Sequence, residues 1–250
     1  MEVRLAKDDS EIEAAQRLRY QVFFEEMGAQ TTPELAELGL DIDEYDAICD
    51  HLLVIDGALP AEEAVVGTYR ILREEVANQN NGFYSAAEYD LSALLAGRDE
   101  ATIRDQGQYI EVGRSCVRAD YRSNATIQYL WRGLAVYVRE HNVSCMFGCA
   151  SLEGTDPQEH ALALSYLHHN FQAPDDMQVK AIPSRHVAMN MMPADEISDR
   201  AAIRVLPPLI KGYLRVGCYI GDGAVVDEEF GTTDVFIIAP TDRIPDKYFS

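Results

Sequence analysis

The chain has 250 residues, 47% of them hydrophobic and 25% charged, a composition for a folded globular protein with a sizeable core. Its formal net charge of −21 excludes a general affinity for nucleic acid and gives no broad attraction to anionic lipid. Five cysteines, an odd number at spacings unlike a zinc site or redox pair, read as reduced and buried thiols, and the six histidines form no metal pattern.

In chain order, residues 2–6 read as a strand. Ser10 opens a helix with Glu13 completing a capping box, and Ile12, Ala15, Arg19, Val22 and Phe23 recur at helical spacing up to a stop at Gly28. Residues 29–47 are acidic and weakly periodic, as in a loop or short helical turns. Strands follow at 51–57 and 64–73, joined by a turn around Gly57 to Pro60. Residues 85–97 predict a helix stopped by Gly97, and 108–117 a strand. From about Asn124 to His141 an amphipathic helix presents Ile127, Leu130, Leu134 and Tyr137 on one face. Residues 143–152 form a buried strand. Asp156 and Pro157 start a further helix through His169. Residues 172–205 give no clear pattern. A short helix precedes Gly217, and strands at 218–227 and 232–240 close the fold. No repeat or linker interrupts the chain, so one domain spanning 1–250 is expected. Strands and helices in mixed order imply an α+β or α/β three-layer domain around a mixed sheet. No run of about 18 apolar residues and no apolar N-terminal core is present, so a cytoplasmic protein is expected.

The segment "EVGRSCVRADYR" (111–122) carries the chemistry. Strict alternation puts Glu111 and Arg114 on opposite faces of the strand. A bulge at Gly113 would bring them to one side and leave backbone N–H groups free. A plain ion pair on an edge strand fits the spacing equally well. Arg118, Arg122, Ser123 and Asn124 then precede the long helix, whose N-terminus is suited to an anion such as phosphate.

A strand with a backbone opening, an arginine-bearing loop and a helix resembles the acyl-donor site of the Gcn5-related N-acetyltransferase (GNAT) superfamily. Of its Q/R-x-x-G-x-G/A loop, "RSNATI" (122–127) keeps the arginine, with Ala125 where a glycine is expected. "RLRYQVFFEEMG", "DIDEYDAICDHLLVID", "VVGTYRIL" and "EVGRSCVRADYR" follow in the order seen in acyl-homoserine-lactone synthases and in the hemolysin-like acyltransferases that include the L-ornithine N-acyltransferases. "SLEGTDPQEHALALSYLHH" and the segment from "LPPLIKGYLRVG" to "FII" are more similar to the ornithine acyltransferases. A tryptophan near Met27, expected in a lactone synthase, is absent; the single Trp131 sits in the long helix as core.

This resemblance implies a GNAT-like fold and acyl transfer from the 4'-phosphopantetheine of an acyl carrier protein, or from acyl-coenzyme A, to the α-amine of ornithine. The acyl group implied is a 3-hydroxyacyl chain and the product a lyso-ornithine lipid. The implied partners are acyl carrier protein, ornithine and, transiently, a membrane surface through the product. No metal and no permanently bound cofactor is implied. Glu111 is the first candidate base and Asp46 the second, with Arg114 beside them. Arg19, Phe23, Asp43 and Arg70 are candidate acceptor-binding residues, the aspartates for the side-chain ammonium and the arginines for the carboxylate. Backbone at Cys116 and Val117 would hold the oxyanion, and Arg118, Arg122, Ser123, Asn124 and Ala125 the donor. Arg132 is expected beside Arg118 and Arg122 at the donor entrance. A lactone synthase, another N-acyl amino acid synthase and a non-catalytic lipid- or carrier-binding protein are the competing functions.

Overall fold

A computed structural model describes residues 1–122 and 124–245. Strand β1 (Glu2–Leu5) leads to α1 (Asp9–Tyr20). Asp8, not Ser10, caps this helix, its carboxylate accepting from the Ser10 and Glu11 N–H groups. The helix does not stop at Tyr20 but widens into a π-helical turn over Gln21–Glu26, which carries Phe23. A short α2 (Pro33–Leu38) precedes an aspartate-rich loop, then β2 (Asp50–Ile55), β3 (Val65–Arg73) and α3 (Glu74–Asn78).

The helix expected over 85–97 is not formed. That stretch folds as a 3₁₀ turn (Tyr84–Ala87), a two-residue strand β4 (Tyr89–Asp90) and irregular turns. Tertiary contacts override its helical composition: Tyr89 is buried against Phe236 and donates its hydroxyl to the Asp234 carbonyl, 3.0 Å away. Next come α4 (Glu100–Gln106), β5 (Gln108–Val117), α5 (Asn124–Glu140), β6 (Val143–Glu153) and α6 (Ala161–Phe171). The unpatterned 172–205 segment holds β7 (Lys180–Ala181), β8 (His186–Val187) and α7 (Asp199–Val205). Helix α8 (Pro208–Arg215) and the hairpin β9 (Tyr219–Asp227) and β10 (Thr232–Pro240) complete the order.

The strands form one mixed sheet in the order β1-β2-β3-β5-β6-β10-β9-β7-β4, with β8 on β9. Neighbours are antiparallel except β5–β6 and β7–β9. Helix α5 lays Leu130, Leu134, Tyr137 and Val138 on β2, β3 and β5, and α6 to α8 pack beside it over β6, β9 and β10. On the opposite face lie α1, through Ala15, Leu18 and Val22, and the 79–97 segment. This is the expected three-layer arrangement.

Two irregularities in β5 make the site. Against β3, Thr68 pairs with Cys116 and Arg70 with Gly113, so one residue of β3 faces two of β5. The bulge therefore falls on Arg114–Ser115, next to Gly113 rather than on it, and Arg114 takes φ 49°, an uncommon conformation for a side chain of its size. Against β6, pairing runs only as far as Glu111 opposite Phe147. Beyond it the two parallel strands part. Gly148 stands at the parting point: a Cβ there would lie 2.2 Å from the Val112 carbonyl oxygen.

Candidate active site

The bulge resets the alternation, so Glu111 and Arg114 reach the same face of the sheet. Glu111 is buried, and its two oxygens accept the N–H groups of Tyr84 (2.7 Å) and Ser85 (2.8 Å). Burial raises its pKa, and the hydrogen bonds oppose that rise without cancelling it. Arg114 lies over the rings of Tyr84 and Phe230, at 5.0 and 4.7 Å.

Arg114 belongs to a closed circuit of alternating charge. Arg19 donates to Asp41 and to Asp46, both at 2.8 Å. Asp46 also accepts from Arg70 at 3.3 Å, and Arg70 donates to Asp43 at 2.6 Å. Asp43 and Asp41 lie 3.5 and 3.2 Å from Arg114, which closes the circuit. Three arginines thus neutralise three aspartates, and the 41–46 loop is held against α1, β3 and β5. Burial pushes Asp46 up, but Arg19 and Arg70 outweigh it and bring its carboxyl down to about 2. Arg19 is fully buried and, like Asp43 and Asp46, does not line the cleft; Arg70 and Arg114 do. The circuit leaves Asp43 and Asp46 engaged by guanidinium groups, so neither waits for a substrate ammonium, and Arg19 is out of reach of a substrate carboxylate. Sequence reasoning missed Asp41, although the acidic "DIDEYD" run contains it.

The cleft encloses about 980 Å³, ample for an amino acid and a thioester arm. Phe23, Arg70, Tyr84, Glu111, Gly113 and Arg114 line one wall. The same cleft is also lined by three carboxylates, Glu88, Asp227 and Asp234. Asp234 is buried, accepts from the Thr232 hydroxyl at 2.8 Å, and has its pKa raised chiefly by burial. Glu88 is likewise raised by burial and pairs with Arg185 at 2.8 Å. No signal in the sequence links these carboxylates to Glu111, because sheet register alone brings them together.

A second, narrow cavity opens where β5 and β6 part. It is almost wholly apolar, lined by Val112, Leu134, Val138, Met146, Phe147 and Ile237. Val112, Trp131, Cys149, Tyr213 and Val216 line both spaces, so Trp131 is a wall residue at their junction. There the Tyr69 and Tyr213 hydroxyls meet at 3.1 Å.

The free edge of β5 faces this junction. Arg118 N–H donates to the Val66 carbonyl on β3, and directions alternate along a strand. Cys116, paired with Thr68, points its backbone groups at β3, and Val117 points its own away. Arg122 Nε accordingly donates to the Val117 carbonyl at 3.0 Å. Val117, not Cys116, therefore offers a free N–H to the opening. The Cys116 thiol is buried and pushed up to about 12 by that burial, unsuited to nucleophilic attack. Of the arginines expected at the entrance, Arg122 and Arg132 line the cleft. Arg118 does not; Asp120 holds it in a bidentate pair at 2.7 and 3.0 Å. Arg122 is also paired, with Glu26. Ser123 and the side chains of Asn124 and Ala125 lie outside the described residues. Among the described residues, no helix is long and apolar enough to cross a membrane.

Comparison with known proteins agrees with this geometry. Residues 18–132 match a family model described as an acetyltransferase (GNAT) domain. A solved N-acyl amino acid synthase from uncultured soil microbes, FeeM, shares the fold at TM-score 0.51 and 12% identity, covering 96% of this chain and 90% of its own. The CoA-dependent acyl-homoserine lactone synthase BjaI, solved with MTA, does so at 0.50 and 14%, covering 94% and 79%. Sequence likeness is far closer elsewhere. The L-ornithine N(alpha)-acyltransferase of Brucella abortus (strain 2308) is 52% identical over 100% of this chain and 88% of its own length. That of Rhizobium meliloti (strain 1021) is 48% identical over 100% and 83%. An acyltransferase fold with a split strand pair, and full-length identity of this order, place the chain in the L-ornithine N(alpha)-acyltransferase family.

Proposed function

We propose that the chain transfers an acyl group from a pantetheine thioester to the α-amine of L-ornithine. The parting of β5 from β6 beyond Glu111 carries this reading, because it opens an apolar cavity and a polar cleft onto one stretch of unpaired backbone. The thioester carbonyl sits at the opening, its acyl chain directed into the apolar cavity. The amine nitrogen attacks the carbonyl carbon, the C–S bond breaks, and an amide and a free pantetheine thiol result.

The α-amine is mostly protonated at neutral pH and must lose a proton to attack. Glu111 is the base this arrangement favours. It lines the cleft, is bound by neutral N–H groups rather than cations, and has its affinity for protons raised by burial. Asp46, held down by two guanidinium groups, is a poor base and acts as a positioning residue. The Val117 N–H supplies a hydrogen bond to the tetrahedral oxyanion. Arg114, whose bonds to Asp43 and Tyr84 are long at 3.5 and 3.4 Å, can turn to the ornithine carboxylate. Asp227 and Asp234, which line the cleft and among the described residues pair with no cation, replace Asp43 and Asp46 as the partners of the side-chain ammonium, whereas Glu88 is already held by Arg185.

The test is purified protein with acyl-carrier-protein thioester and competing acceptors, read by product mass. Acyl-ornithine should form with release of one thiol per amide. Lysine, longer by a methylene, should trail by roughly 10- to 200-fold, and norvaline by more, since it leaves a buried carboxylate unpaired. Equal use of norvaline and ornithine would refute Asp227 and Asp234 as the ammonium's partners, and an acyl-homoserine lactone as sole product would refute the reaction.

A further inference from the structure

The strongest local departure from the acidity of the chain is not at the β5–α5 turn. Residues 200–215, from the second residue of α7 to the end of α8, carry Arg200, Arg204, Lys211 and Arg215 and no carboxylate, and the one acidic residue of the two helices is Asp199 at the start of α7, in a chain of net charge −21. Among the described residues none of these four makes an ion pair, whereas Arg118 and Arg122 are each already paired. Arg200, Arg204 and Arg215 are exposed. So are two branched aliphatic side chains beside them, Ile203 at 45% and Val205 at 56%. Unpaired cations around exposed aliphatics have the composition of a docking surface rather than of a solubilising one.

Its position is as telling as its charge. Pro207, Pro208 and Arg215 line the mouth of the cleft. Helix α8 packs on α5 through Gly212 and Tyr213 against Trp131, which brings the rim residue Arg132 to the same side. A macromolecule seated on α7–α8 would therefore hold a flexible arm directly over the opening between β5 and β6.

We propose that α7–α8, rather than the Arg118–Arg122 turn, is the docking surface for an acidic carrier protein that delivers the acyl thioester on its pantetheine arm. This rests on the acyl-transfer reading above. Charge complementarity selects the occupant: an acidic domain is repelled by the net negative charge of this surface and attracted to this unpaired cationic face. The aliphatic side chains give the contact a dry centre between the flanking cations.

The experiment compares two donors with the same acyl group, the carrier-protein thioester and the small acyl-pantetheine thioester, on the full chain and on the double variant Arg200→Glu, Arg204→Glu. With the carrier protein, kcat/KM should fall at least tenfold, mostly through KM. With acyl-pantetheine it should not change, which also shows that the variant is folded. An equal fall with both donors, or no fall with either, would overturn the docking surface while leaving acyl transfer intact. Absence of acyl-ornithine from both donors with the unaltered chain would overturn the acyl-transfer reading itself, and this inference with it. Sedimentation with phosphatidylglycerol vesicles separates the other possible occupant. Binding lost in the variant while carrier-protein kinetics are unchanged would assign the surface to anionic lipid instead.

Discussion

Glu111 shows how one side chain can hold two duties. Its carboxylate ties the Tyr84–Ser85 turn to β5, lines the cleft and is the base proposed for the reaction. Glu111→Gln should lower kcat by roughly 100- to 10,000-fold and abolish an ascending limb of the pH–rate profile whose midpoint lies above the ordinary glutamate range. The amide also sets an NH₂ against a backbone N–H, so some loss of Tm accompanies it. A loss of stability with the ascending limb intact would make Glu111 only an anchor of the turn. Asp46 shifts the other way. Its folded pKa of about 2 lies below the ordinary 3.8, so the unfolded state binds more protons as pH falls between them. The stability it contributes, about 2 kcal/mol, is present above pH 4 and lost as pH falls toward 2. Asp46→Asn should cost about 3–5 kcal/mol at neutral pH, because it leaves the fully buried Arg19 short of a partner, and should flatten the acid limb of a Tm–pH series. An unchanged acid limb would remove Asp46 from the circuit. Arg19, Asp43, Asp46, Arg70 and Arg114 were all singled out in the sequence, Arg114 already by the strand pattern and the others by family resemblance, and of these Arg70 and Arg114 line the cleft. That they pair with one another was not legible, since the partners lie 22 to 73 residues apart. The same distance hid Asp41, Asp234 and Glu88.

Among the elements, the strands were the most legible. β3 is buried along nearly its whole length and β10 along all of it, so their apolar runs stand out without knowledge of the fold. The two-residue strands β7 and β8 leave no period to read. The misread 85–97 stretch is rich in alanine and leucine, yet Leu91, Leu94 and Tyr89 are buried by the sheet rather than by a helical stripe. The β5 bulge was foreseeable from the clash of Glu111 and Arg114 with alternation, although its placement at Arg114–Ser115 needed the β3 register. The parting of β5 and β6 depends on one further residue. Gly148 lets β6 run close to Val112 before it turns away, and a methyl group there would press on the Val112 carbonyl. Gly148→Ala should therefore cost about 1–3 kcal/mol as an overpacked contact. It should also displace the free β5 edge, lowering kcat with acyl-pantetheine, which needs no docking, more than it raises KM for ornithine. Unchanged kcat in a destabilised Gly148→Ala protein would mean that the opening is set elsewhere, for instance by the bulge.

At the scale of the whole molecule, the proposed encounter of a strongly acidic enzyme with an acidic carrier protein has two electrostatic terms of opposite sign. The net charge of −21 repels a carrier protein at long range, and the unpaired cations of α7–α8 attract it once close. Salt screens both, but not equally: at 0.15 M the Debye length is about 8 Å, so the distributed repulsion is removed before the contact attraction is. In dilute buffer, added salt should first raise kcat/KM for the carrier-protein donor as repulsion is screened. It should then lower it as ionic strength reaches several tenths molar and the local pairs weaken. In the Arg200→Glu, Arg204→Glu protein only the rising phase should remain, because no attraction is left to screen. Acyl-pantetheine, small and without an acidic domain, should show neither phase in either protein. The signature is thus a maximum that the variant converts into a monotonic rise. A falling phase of the same size in both proteins would place the attraction on Arg122 and Arg132 at the cleft rim, and α7–α8 would lose its role in the encounter.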